Sequence, residues 1–197
     1  MGDPAKVTDT PSGATGDLAL QFAPTGTISD MAVVWDPDGV LNVTEDWTLE
    51  AWVNYPVTVT SDRAVVFYYG YPGHGYSVSI NYAEGDKLQV TTLGIADMPS
   101  DTAVVDFDIW QHIAIVHRSG ESITYYINGE EAGSQSYTGG IVAVDQDHAL
   151  YIGAEWDGAL PFTGLIDRIR ISDTALSPEE LDSDPANPTS VQAWSLH

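Results

Sequence analysis

The acids and the aromatics are the side chains of this sequence best suited to chemistry. Glycoside hydrolysis needs two carboxylates about 5–10 Å apart. The Glu-x-Asp at Glu84-Gly85-Asp86 reads as a hairpin tip and lacks a second Glu after it. No Gly-x-Ser-x-Gly elbow and no His-Glu-x-x-His occurs. His112 and His117 lie five apart on a predicted strand, so they face opposite sides and cannot share a metal; packing is the expected role of His112. Glu50 is a lone strand carboxylate, expected on a solvated or hydrogen-bonded face. These patterns point away from an enzyme.

Cation binding has better candidates. On a regular strand Asp167 shares a face with Leu165, Ile169 and Ile171, while Arg168 and Arg170 point the other way. A carboxylate in phase with core residues needs a cation or several donors. Asp36-Pro37-Asp38-Gly39 and Asp145-Gln146-Asp147 have the short oxygen spacing that hard cations use, though solvated turns are the simpler reading.

Ligand stacking is suggested by the aromatics. Phe67-Tyr68-Tyr69-Gly70-Tyr71-Pro72-Gly73-His74-Gly75-Tyr76 reads as a Gly-rich loop with more rings than it can bury. Flat rings with polar tips suit sugars. Tyr69, Tyr71, His74 and Tyr76 are therefore the expected ligand-binding residues, joined by Trp156 and Asp157 of Ala154-Glu155-Trp156-Asp157-Gly158. The alternative is that Tyr68 or Tyr69 packs inside and Trp156 covers a core edge. Trp35, Trp47, Trp110 and Trp194 are expected at the core or a sheet edge. The scarce Arg63, Arg118, Arg168 and Arg170 are expected in salt bridges.

Composition sets bounds on partners. The 197 residues carry 29 Asp+Glu against 6 Lys+Arg, a formal charge of −23. That excludes a basic track for nucleic acid and disfavours anionic membranes and polyanionic glycans. It favours solubility, a saline setting and divalent cations. Zero Cys excludes thiolate zinc, iron–sulfur clusters and Cys nucleophiles. No apolar run approaches the roughly 18 residues of a membrane span, so no membrane insertion is expected. No basic segment followed by an apolar stretch marks a signal peptide; one domain of a longer secreted chain is expected.

The elements that must carry these residues are strands. Candidates are Leu18–Ala23, Met31–Trp35, Trp47–Asn54, Ala64–Tyr69, Tyr76–Tyr82, Lys87–Leu93, Ala103–Phe107, His112–His117, Ser122–Ile127, Glu130–Gln135, Ala149–Ile152 and Leu165–Ile171. Gly, Pro, Asn and Asp separate them, as in a sandwich or barrel. Asn128-Gly129 signals a type I′ hairpin. Ser177-Pro178-Glu179-Glu180-Leu181 is a one-turn helix with its own cap. Trp47, Leu49, Ala51 and Val53 form the core face of their strand, and Thr48, Glu50, Trp52 and Asn54 an outer face or groove. Residues 1–16 read as an extension, and 17–197 as one domain with a Pro/Asp-rich loop at 182–189 and a last strand at 191–196.

Three segments resemble the laminin G-like domains of the concanavalin A-like lectin/glucanase superfamily. They are Trp47 to Val53; Trp110-Gln111-His112-Ile113-Ala114-Ile115-Val116 with Tyr125-Tyr126-Ile127-Asn128-Gly129; and Leu150-Tyr151-Ile152-Gly153 with Phe162 to Ile171 and Ala175 to Leu181. The resemblance covers about 18–181. It implies an all-β jelly-roll sandwich of two antiparallel sheets with one short helix near the C-terminus. It further implies a secreted or cell-surface, non-catalytic module binding a glycan or cell-surface polysaccharide, monomeric within a larger microbial protein. It places a structural Ca²⁺ at Asp167. The Asp-Gly usual after the first strand is replaced by Ala23-Pro24-Thr25-Gly26, leaving backbone carbonyls or Asp17 to complete the shell. The same fold also carries glycoside hydrolases and polysaccharide lyases, and a calcium-rigidified spacer of a surface adhesin is the remaining alternative.

Overall fold

The computed structural model describes residues 2–23, 30–56, 62–81, 85–145 and 149–186. Among the described residues, thirteen strands form two antiparallel sheets. One sheet has seven strands in the order β1 (Ala5–Val7), β2 (Ala19–Phe22), β13 (Gly164–Ser172), β4 (Trp47–Asn54), β9 (Trp110–Arg118), β10 (Ser122–Ile127), β11 (Glu130–Ser136). The other has six, in the order β3 (Ala32–Trp35), β12 (Ala149–Ile152), β5 (Arg63–Tyr71), β6 (His74–Asn81), β7 (Lys87–Thr92), β8 (Ala96–Val104). The helix is a single 3-10 turn at Pro178–Glu180. Among the described residues no helix is long and apolar enough to cross a membrane.

The core lies between the sheets, where alternate residues of each strand meet. Trp47, Leu49, Ala51 and Val53 face Tyr69, Tyr76, Val78, Ile80 and Leu88 in one buried cluster. The Asn128-Gly129 turn has φ of 53° and 80°, as its hairpin type requires. Residues 5–7, expected in an extension, add strand β1 beside β2. The candidate strand at 103–107 begins earlier, at Ala96. Glu84 and residues 191–196 of the candidate last strand lie outside the described residues.

Two local readings change. The Gly-rich segment at 70–75 is not an open loop. β5 and β6 pair down to Tyr71 and His74, so Pro72-Gly73 alone makes the turn. Gly70 (φ +108°) and Gly75 (φ +101°) permit this, because a Cβ on either would run into the facing strand's backbone. The second change concerns Asp167. β13 carries a bulge between Asp167 and Arg170, with Arg168 in the left-handed region at φ 47°. The bulge reverses the side-chain alternation. Ile166, Ile169 and Ile171 meet the core, whereas Asp167 pairs with Trp52 on the outer face. Asp167 is not in phase with the core.

That outer face of the seven-stranded sheet is roofed by residues 173–186. Thr48 Oγ1 donates to the Thr174 carbonyl at 2.8 Å, and Trp52 Nε1 to the Asp182 carbonyl at 2.8 Å. Leu181 packs with Ala114, Val116 and Tyr126. Glu50, fully buried at the centre, takes a hydrogen bond from His112 Nε2 at 2.8 Å and from the Asp182 N–H at 2.9 Å. It also pairs with the Arg170 guanidinium. A carboxylate only accepts, so His112 carries its proton on Nε2. Burial pushes Glu50 up, but His112, Arg170 and the Asp182 N–H outweigh it and hold the carboxyl below its ordinary value of 4.5.

A depressed acid stabilises the fold fully above its ordinary value, and that stability is lost as pH falls through the folded value. Glu50→Ala leaves buried His112 and half-buried Arg170 without their anion. It is expected to cost about 3–5 kcal/mol at pH 7, read as a lower urea midpoint. Glu50→Gln is expected to show a shallower fall in stability below pH 4.5 than the parent. Equal pH profiles would contradict the assignment.

Candidate functional site

The expected ligand residues fall in three places. Tyr69 and Tyr76 are both 0% exposed and lie in the core. The Tyr69 hydroxyl donates to Asp36 Oδ2 at 2.8 Å, and that of Tyr76 to the Leu41 carbonyl at 2.8 Å. Burial, then the neighbouring Asp36, drives the Tyr69 phenol far up. Asp36 also takes the Val40 and Leu41 N–H groups, so it is a structural acceptor inside its turn. These two tyrosines offer no ring face to a ligand, which corrects their expected role.

Tyr71 and His74 stack on each other at the hairpin end of β5 and β6, with ring centroids 4.5 Å apart. Tyr71 hydrogen-bonds Asp145, and His74 Nδ1 lies 2.9 Å from the Ala143 carbonyl. Tyr71 leans on the core cluster, so this pair forms a sandwich rim. Gln146 and Asp147 lie outside the described residues.

Trp156 and Asp157 sit at the other end of β5. Their loop is tied there by Val65 N–H to the Leu160 carbonyl (3.0 Å) and Gly153 N–H to the Val66 carbonyl (2.9 Å). From Val65 to Tyr71 a strand runs about 20 Å. The structure thus separates Trp156 and Asp157 from Tyr71 and His74.

What it brings to Trp156 is the outer face of the six-stranded sheet. Pairing aligns Val33, Tyr151, Tyr68, Ser77, Thr91 and Asp97 in one row across all six strands, with Val65, Ser79 and Gln89 beside it. Tyr68, Ser77, Ser79 and Gln89 make a buried floor. Above it runs a hydrogen-bonded polar chain. Asn81 Nδ2 donates to Gln89 Oε1 (2.7 Å), Gln89 Nε2 to Thr91 Oγ1 (3.1 Å) and Asp97 Oδ1 (3.3 Å), and Thr91 Oγ1 to Asp97 Oδ1 (2.6 Å). Arg63 reaches Asp97 on β8 at 3.4 Å and Glu155 at 3.5 Å. A side chain rooted on β5 meets a carboxylate three strands away, so this face is drawn inward along the line from Arg63 to Asp97.

Electrostatics follow from that crowding. Burial raises the Glu155 carboxyl; Asp157 and Asp97 add to this and Arg63 opposes it. Burial, then Glu155 and Asp157, also raises the Tyr68 phenol. The Ser79 hydroxyl on the floor has no protein partner among the described residues. Trp156, 42% exposed, lies between Glu155, which reaches Arg63, and Asp157 in the loop at this end of the face. The result is a preorganised set of amide, hydroxyl and carboxyl groups beside an open indole. Such a surface can take hydroxyl-rich ligands by hydrogen bonding and stacking together.

Asp17 and Asp167 are brought together around Arg168, whose Nη2 is 3.6 Å from Asp17 Oδ2 and whose Nε is 4.0 Å from Asp167 Oδ2. Burial, then Asp17, pushes Asp167 up to about 6. Its Oδ2 is buried without a hydrogen bond among the described residues, the kind of orphaned oxygen a cation would satisfy. Arg168 already supplies positive charge there, and the described residues contain no group of three His, Cys, Asp or Glu able to hold a metal. Ca²⁺ takes six to eight oxygens, so these residues fit it as two side-chain ligands at most. The Pro24-Thr25-Gly26 segment lies outside the described residues.

Sequence reasoning reached Trp156 and Asp157 but missed the groove's floor and its polar chain. Each strand contributes one or two ordinary residues, and only the pairing register assembles them. Alternation in Ser77-Val78-Ser79-Ile80-Asn81 was the available signal, since it marks a strand with one polar face.

A search of curated protein sequences returns no match. The family model Laminin_G_3, described as concanavalin A-like lectin/glucanases superfamily, matches residues 25–182. Among solved structures, domain 4 of AbnA is similar with a TM-score of 0.65 and 21% identity, covering 95% of this chain and 82% of that one. AbnA is a GH43 extracellular arabinanase from Geobacillus stearothermophilus, and that structure holds arabinotriose. A heptameric SAP-like pentraxin from Limulus polyphemus gives 0.65 at 14% identity, covering 88% and 82%. A putative carbohydrate binding protein from Bacteroides ovatus gives 0.61 at 21% identity, covering 87% of this chain and 49% of that one. These likenesses share the sandwich of two antiparallel sheets, and the family match spans all three motif segments. The chain belongs to the laminin G-like family of the concanavalin A-like lectin/glucanase superfamily.

Proposed function

We propose that this domain is a non-catalytic carbohydrate-binding module of a secreted or surface protein, and that its site is the concave outer face of the six-stranded sheet. One observation carries the reading: the hydrogen-bonded chain from Asn81 through Gln89 and Thr91 to Asp97, next to exposed Trp156. Polar side chains held in place by one another bind a sugar without first being ordered. The similar arabinanase domain holding arabinotriose and the putative carbohydrate binding protein support the ligand class. The groove's acids, Asp97, Glu155 and Asp157, face one nearby arginine, which favours neutral sugars over polyanions.

Trp156→Ala is expected to weaken binding of arabino-oligosaccharides about tenfold by calorimetry, the loss of one stacking ring. His74→Ala, at the far end of β5, is expected to leave it unchanged. The reverse pattern would move the site to the hairpin rim. Glu155, raised by burial, is the acid a hydrolase would use; release of reducing ends by the domain alone would replace the binding reading with an enzymatic one.

Calcium at Asp17 and Asp167 is a separate part of the proposal, supported by the orphaned Asp167 oxygen. Ca²⁺ is expected to raise the melting temperature and EDTA to reverse this, with Asp167→Asn insensitive to both. A melting temperature indifferent to Ca²⁺ would remove the metal. A calcium response without glycan binding would favour the adhesin spacer.

A further inference from the structure

Trp35 is 70% exposed and stands on β3, the edge strand of the six-stranded sheet. Its placement is fixed by register. Val33 pairs with Tyr151, which pairs with Tyr68, so Val33 lies in the row that crosses the concave face. Trp35 is two residues further along the same strand and pairs with Ala149, so its side chain belongs to that same face. Tyr151, half-buried, lies one strand inward, packed edge-on against Tyr68 at 6.4 Å. An exposed indole is normally expensive to leave in water. Here it continues, without a change of face, a surface whose opposite margin is the Thr91–Asp97 pair. From β3 to β8 there are five strand intervals, about 24 Å at roughly 4.8 Å each. That is longer than a single sugar needs.

The chemistry changes along this length. The β7–β8 side offers amide, hydroxyl and carboxyl groups, and the β3–β12 side offers Trp35, Val33 and Tyr151, none of which carries a charge. A peptide strand adding to the β3 edge would use backbone groups and leave the indole's face idle. A membrane is disfavoured by the charge of −23. A linear neutral glycan has both parts in every unit, C–H faces for the rings and hydroxyls for the polar chain.

We propose that Trp35 is a distal stacking subsite of the same groove, so that the ligand is the interior of a linear neutral polysaccharide lying across the strands. This rests on the carbohydrate-binding reading above. Affinity then grows with chain length until both margins are engaged, and Trp35 contributes only to chains long enough to reach it.

The test is calorimetry on the whole domain with arabino-, xylo- and cello-oligosaccharides of increasing length, on the parent, Trp35→Ala and Trp35→Phe. The parent is expected to bind the longest members of at least one series more tightly than the trisaccharide. Trp35→Ala is expected to lose about tenfold on those long members, with the trisaccharide unchanged and Trp35→Phe near the parent. Trp35 is exposed, so melting temperatures should match, which separates lost binding from lost fold. Trisaccharide binding with no gain on lengthening, or an unchanged Trp35→Ala, overturns the distal subsite while leaving the carbohydrate reading intact. No binding to any member of any series overturns both.

Discussion

The carboxylate of Glu50 is the interaction on which the rest of the molecule depends. It sits in the middle of β4, and β4 is the middle strand of the seven-stranded sheet. Its partners come from both neighbouring strands, Arg170 on β13 and His112 on β9, and from the backbone of Asp182 in the covering segment. One buried charge therefore joins two strand pairs and the C-terminal roof. A buried ion pair need not beat an apolar replacement in stability. What it does impose is geometry: Arg170 pairs with Glu50 on the same outer face as Asp167, three residues earlier, only because the bulge in β13 breaks the alternation between them. The same bulge moves Asp167 to the outer face and brings Arg168 between Asp17 and Asp167.

With one sheet fixed and roofed, the other is free to use its outer face. The core needs only the inner residues of β5, β6 and β7, such as Tyr69, Tyr76 and Val90. Their outer neighbours are small or polar, and inward curvature gathers them. Arg63 crossing from β5 to Asp97 on β8 is the clearest mark of that curvature. The two sheets thus divide the labour: buried charge holds one outer face closed, and a hydrogen-bonded polar chain keeps the other open to hydroxyl-rich ligands.

Most of the architecture is legible in the sequence, because alternation and turn residues are local signals. Trp47 to Asn54 shows both faces correctly, and Asn128-Gly129 marks its turn. Two failures share a cause. Asp167 was assigned by strict alternation, and a bulge adds one residue that alternation cannot foresee. Gly70 and Gly75 looked like loop formers, yet their missing side chains let β5 and β6 pair closely, which carries Tyr69 and Tyr76 inward. The groove was invisible for a different reason. Its residues are unremarkable singly, and they become a site only through the register of strands far apart in sequence. Trp156 and Asp157 were visible because both lie in one loop.

The central claim is that the concave face of the six-stranded sheet takes the ligand. Its most direct test is an NMR titration of the domain with an arabino-oligosaccharide, following the Trp156 indole N–H, the Gln89 side-chain amide and the Thr91 backbone. The account predicts saturable shifts at these three together, with the Glu50–His112 region unmoved. Shifts confined to the Tyr71–His74 hairpin, or none at saturating ligand, would contradict it.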